Sequence, residues 1–63
     1  MKYIKCILLY SKEPIYINID KIEAIIKNSQ DETFIKMTGT NNSYYTVLES
    51  VDAVLNMIND ISN

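Results

Sequence analysis

From Ser50 to Ile61 the residues Val51, Val54, Leu55, Ile58 and Ile61 recur at the i, i+3, i+4, i+7 and i+10 spacing of an amphipathic helix. No other part of the chain sustains that period. Ser50 is a good N-cap, and Asp52 in the first turn complements the helix dipole. The opposite face carries Asp52, Asn56, Asn59 and Asp60. One helix at the end of a 63-residue chain has to bury its stripe against whatever the preceding residues build.

Those residues read as short strands. "KYIKCILLY" has one face of Ile4, Cys6, Leu8 and Tyr10 and another of Tyr3, Lys5, Ile7 and Leu9. "SKEP" is a turn, with Pro14 confined to the first position of the next strand, and "IYINI" alternates Ile15, Ile17 and Ile19 against Tyr16 and Asn18. Together they form a hairpin. "DKIEAIIK" carries two signals, the capping-box spacing of Asp20 and Glu23 and a helical spacing of Ile22, Ile25 and Ile26. The segment is too short for a full helix, so one helical turn at 20–23 should lead into a strand at about 23–28. "TFIKMT" and "YYTVL" are strands, separated by a turn at 39–43 built on Gly39, the only glycine.

The expected fold class is α+β, a small antiparallel sheet of four or five strands with one C-terminal helix packed on one face, in a single domain over 1–63. The covered face should collect Ile4, Cys6, Leu8, Ile15, Ile17, Ile35, Met37, Tyr45 and Val47. Val51, Leu55 and Ile58 should lie over Ile17, Ile35 and Val47, so that Leu55→Ala unfolds the protein. Strand alternation sends Tyr45 inward and Tyr44 outward, so Tyr45→Asp should unfold the chain and Tyr44→Asp should not.

Ile7, Leu9, Tyr16, Phe34, Tyr44 and Leu48, with Tyr3 at the edge, remain on the uncovered face. Soluble monomers rarely show water so large an apolar patch. A chain of this size buries only about 60% of its unfolded surface and usually needs a disulfide, a metal or a partner. One cysteine and no histidine leave neither an internal disulfide nor a zinc site. Homo-oligomerisation is the remaining source of stability.

The same inventory limits chemistry. Without histidine the Ser-His-Asp and Cys-His arrangements cannot form, and one glycine cannot supply a phosphate-binding loop or a dinucleotide fingerprint. Glu13, Asp20, Glu23, Asp31, Glu32 and Glu49 read as solvated turn and cap residues, and no enzymatic role or cofactor is expected. Cys6 reads as a small buried apolar residue. The "NNS" sequon at 41–43 has no secretory signal before it. The apolar run Cys6–Tyr10 is too short for a signal peptide or a membrane span, and the lone thiol fits a reducing, cytoplasmic setting.

All six lysines lie in residues 1–36 against five acids, for +1, while residues 37–63 hold three acids and no base, for −3. Scattered lysines without arginine on an acidic chain argue against nucleic acid as a partner. Five tyrosines are the remaining functional signal. Tyr3, Tyr16, Phe34, Lys36, Tyr44, Thr46 and Leu48 are the candidate ligand- or partner-binding residues, with Lys36 or Lys5 facing a small anionic group. Packing of these aromatics against a second subunit is the plainer alternative.

Residues Pro14 to Ile61 resemble the FlbD family of small bacterial flagellar proteins, which includes the swarming-related SwrD proteins. The matching pieces are "IYINIDKIEAI", "TFIKMTG" and "YTVLESVDAVLNMI". Tyr16, Asn18, Asp20, Ile22, Glu23, Ile25, Thr33, Ile35, Gly39, Tyr45, Val47, Glu49, Ser50 and Val51 sit on the family's positions. The family's early Leu-Asn-Gly turn is replaced by "YSKEP", and "TGTNNS" is longer than its Asn-Gly hairpin. The resemblance implies a non-enzymatic accessory protein linked to flagellar motor output. Beside it stands a self-assembling module that holds or sequesters a small ligand, such as a signalling nucleotide of the kind phage proteins capture, or a partner protein.

Overall fold

The computed structural model describes residues 2–39 and 44–62. The expected turn at 39–43 and the sequon therefore fall largely outside the described residues. The elements run β1 (Tyr3–Ile7), β2 (Pro14–Asn18), a 3-10 turn (Ile19–Lys21), β3 (Ile22–Lys27), β4 (Thr33–Met37), β5 (Tyr44–Val47) and α1 (Val51–Ser62). The class is α+β as read from the sequence. The five strands do not form one sheet, however: β1 and β2 make a two-stranded antiparallel sheet, and β3, β4 and β5 make a three-stranded one.

The division has a local cause. β5 has only four residues before the chain leaves for the helix, so β1 meets it at one bridge, Leu8 opposite Val47. The Leu9 amide donates to the Thr46 carbonyl at 2.9 Å, and the Leu48 amide donates to the Ile7 carbonyl at 2.8 Å. At the next position β5 has no carbonyl to offer. The Ile7 amide donates instead to both carboxylate oxygens of Glu49, at 3.1 and 3.2 Å. Since both backbone groups of Ile7 point toward β5, its partner Pro14 turns its donor-less nitrogen to the open edge of β2.

β2 passes into β3 through the 3-10 turn. The Asn18 side chain, not Asp20, caps that turn by accepting from the Asp20 amide at 3.0 Å. In β3 the pairing with β4 shifts register between Ile22 and Ala24. This bulge lets Ile22 and Ile25, three residues apart, both pack on the core. The spacing that resembles a helix is thus satisfied by a strand.

The buried core is Ile4, Cys6, Ile17, Ile35, Val47 and Val54, with Ile15, Ile19, Ile22, Ile25, Met37, Met57, Ile58 and Ile61 packed against it. Ser50 caps α1 as expected, its hydroxyl accepting from the Ala53 amide at 3.1 Å. The helix backbone lies closest to β1 and β3. Its core-facing stripe is the buried Val54 with the half-buried Met57, Ile58 and Ile61. Met57 turns that stripe away from Leu55, which sits about 100° around the axis from Val54 and is 44% exposed. The expectation that Leu55 anchors the helix is corrected accordingly. Tyr45 is corrected too. It shares a face with Val47 and pairs with Ile35, but it stands near the start of β5, beyond the cover of the helix, and remains 37% exposed.

Ile35→Ala should therefore lower unfolding stability by about 2–5 kcal/mol in chemical denaturation, whereas Leu55→Ala should stay within about 0.5 kcal/mol of the parent.

Candidate functional site

The register of β3, β4 and β5 assembles one outward face. Ile26 opposes Phe34 and Ala24 opposes Lys36; across the other ladder Phe34 opposes Thr46 and Lys36 opposes Tyr44. The Phe34 and Tyr44 rings, diagonal neighbours on this face, meet at a centroid distance of 5.8 Å and a tilt of 53°. Thr46 and Phe34 are half-buried, while Tyr44 and Ile26 are exposed. Leu48, also exposed, lies just beyond the end of β5.

Four of the seven candidate residues, Phe34, Lys36, Tyr44 and Thr46, are thus brought together, with Leu48 on the chain immediately after them. Ile26, in the strand expected at about 23–28, joins them. Tyr3 and Tyr16 lie on the β1–β2 sheet instead, on the face of Lys5, where Lys5 pairs with Tyr16 and Tyr3 with Asn18. Both tyrosines are exposed.

Lys36 already has a partner. The bulge in β3 sends Glu23 to its ammonium at 3.0 Å. That hydrogen bond, the charge of Glu23 and the neighbouring Tyr44 hold the ammonium above the usual lysine range. It is a fixed cation with its charge largely balanced.

The acids are less uniformly solvated than expected. Glu49 is half-buried and spent on the Ile7 amide. Glu23 belongs to β3 rather than to a turn. Glu32 takes a hydrogen bond from the Tyr10 hydroxyl at 2.9 Å and another from the Asn28 side-chain amide at 2.9 Å. This contact ties the β1–β2 turn to the β3–β4 turn, and the hydrogen bond to Glu32, with its charge, keeps the Tyr10 phenol protonated above its ordinary value. Among the described residues no group of three or more His, Cys, Asp or Glu side chains is placed to hold a metal ion.

Where β1 crosses to β5, Leu8, Tyr10, Ser11, Tyr44, Tyr45 and Thr46 line an open groove of about 270 Å3. Sequence reasoning missed it because Tyr10 reads as the end of the first strand and Tyr45 as a residue under the helix. Tyr10 is instead a turn residue, 77% exposed. The only available signal was that Tyr10 stands directly before "SKEP".

No family model, curated protein or solved structure matches the chain. Among the described residues no helix is long and apolar enough to cross a membrane.

Cys6 is fully buried, and burial, followed by the charge of Glu49, pushes its thiol up to about 11. The folded protein should therefore resist iodoacetamide at pH 8 and react only on unfolding, as intact mass would show. The folded state holds this proton more tightly than the unfolded chain, whose ordinary value is 9.0. The thiol's contribution to stability should be flat below pH 9 and should fall as pH rises from 9 toward about 11.

Proposed function

We propose that this protein is a non-enzymatic binding module that self-associates through the outward face of β3, β4 and β5 and holds a small ligand or a partner protein at the subunit boundary. The observation that carries this reading is the Phe34–Tyr44 pair set among Ile26, Thr46 and Leu48 on a face the helix leaves uncovered. Burying a large apolar side chain completely is worth about 1.5–3 kcal/mol, so several together favour association. The Glu23–Lys36 ion pair at the rim supplies charge of both signs, which suits pairing of identical surfaces. It also makes Lys36 a weaker contact for an anion than an unpaired lysine. Tyr3, Lys5 and Tyr16, on the neighbouring sheet, are the remaining exposed contacts for such a ligand.

A second reading is an accessory protein of the FlbD kind, using the same surface for a protein partner. It rests on the quoted motifs. Asn18, Glu49 and Ser50 of those motifs each satisfy a backbone amide, which favours a shared fold. Mass spectrometry of small molecules released on denaturation separates the two: a stoichiometric ligand supports the first, and a ligand-free sample that captures one partner protein supports the second.

Light scattering at micromolar concentration should show a dimer or larger for the parent and a folded monomer for Tyr44→Asp. Tyr45→Asp should stay folded, against the expectation from strand alternation, because Tyr45 is already in contact with solvent. A monomeric parent would contradict the self-association.

A further inference from the structure

We propose that the groove between the β1–β2 turn and the start of β5 is a binding site for a small organic cation, a quaternary or alkylated ammonium group. The site follows from the way β1 joins β5. The Leu8–Val47 bridge and the hydrogen bond from the Leu9 amide to Thr46 set the turn that follows β1 beside the first residues of β5. Tyr10 is thereby delivered next to Tyr44 and Tyr45, which leave β5 on opposite sides. A volume of about 270 Å3 suits a small head group rather than a drug-sized molecule.

The lining decides the charge of the occupant. Leu8, Tyr10, Ser11, Tyr44, Tyr45 and Thr46 include no ionised side chain. Of the two lysines next to lining residues, Lys12 keeps its charge on a backbone carbonyl, that of Leu9 at 2.7 Å, and Lys36 is balanced by an acid, Glu23. Among the described residues the lining side chains offer an anion hydroxyls and aromatic rings but no cation. A cation within about 6 Å of such a ring is attracted to it, and a quaternary ammonium, which sheds water easily, gains most. A carboxylate hydrogen-bonded to the lining adds to the preference. Glu32 accepts from the Tyr10 hydroxyl at 2.9 Å, which enriches that ring in electrons and leaves a carboxylate behind it. Asn28 fixes the carboxylate from the other side. Ser11 and Thr46 add hydroxyls at the wall for a polar group carried next to the cation.

This inference does not rest on self-association, although Tyr44 belongs to both surfaces. The test is an amide-resolved NMR titration of the intact chain with choline chloride, using the uncharged isostere 3,3-dimethylbutan-1-ol and inorganic phosphate as comparison probes. Choline should shift the Leu8, Ser11 and Thr46 amides saturably in the millimolar range. The isostere should bind at least tenfold more weakly, and phosphate should leave these amides unmoved. Tyr10→Ala, at an exposed turn position and checked for folding by its amide spectrum, and Tyr45→Ala should each weaken choline about tenfold. Tyr10→Phe, which keeps the ring and releases Glu32, should weaken it less. Equal binding of choline and its isostere, no saturable shift, or a response to phosphate would each overturn the assignment. Sedimentation of the same samples reads the oligomer separately: a monomer that binds choline supports this site while defeating self-association.

Discussion

The Ile7 backbone unit lies where every part of this small structure meets. Its carbonyl accepts from Leu48 and its amide donates to the Glu49 carboxylate, so with the Leu9–Thr46 hydrogen bond it fastens the two-stranded sheet to the end of the three-stranded one. A strand that ran one residue further would have supplied a carbonyl in the place Glu49 fills. The chain needs that residue for another purpose, because Ser50 must cap the helix immediately afterwards. A charged acceptor on a backbone amide is worth more than a neutral one, which matters in a chain with no disulfide. Cys6, next along β1, is sealed in the core beneath the junction, and its thiol stays protonated partly because Glu49 is near.

The strongly periodic parts of the sequence carried the fold. Ser50 and the apolar period after it fixed the helix, and the alternation in β1, β2 and β4 assigned Ile4, Cys6, Ile17 and Ile35 to the core. Failures fell where a backbone irregularity or an element's end changes what a side chain faces. By contrast, the segment 20–28 follows the expected helical turn and strand, and the helix-like spacing of Ile22 and Ile25 comes from a bulge that brings residues three apart to one side of that strand. Leu55 falls on the apolar period read from the sequence and Met57 does not, yet Met57 packs on the core beside Val54 and Leu55 is left exposed. Tyr45 has the right parity for burial but stands past the reach of the helix. Glu49 looked like any acid before an N-cap; only the geometry of β1 and β5 gives it the Ile7 amide.

The candidate site was legible to a similar depth. Phe34, Lys36, Tyr44 and Thr46 were grouped correctly from strand alternation, and the register confirms that they share a face. The ion pair that occupies Lys36 was not readable, because it depends on the same bulge that redirects Glu23. Polar residues of the flagellar-like motifs turn out to be committed to backbone groups: Asn18 at the 3-10 turn, Glu49 at the junction and Ser50 at the helix. Much of what remains available for recognition is tyrosine. Tyr44 is the residue on which the outward face and the groove converge.

Amide hydrogen exchange at Ile7 tests the junction most directly. In the parent protein the Ile7 amide should be protected to the same degree as the amides of Leu9 and Leu48, although no strand carbonyl faces it. Glu49→Ala should remove that protection and lower stability by about 1–3 kcal/mol, and Glu49→Gln, which keeps a neutral acceptor, should fall between. Rapid exchange at Ile7 in the parent, or unchanged stability in Glu49→Ala, would contradict the claim that this carboxylate joins the two sheets.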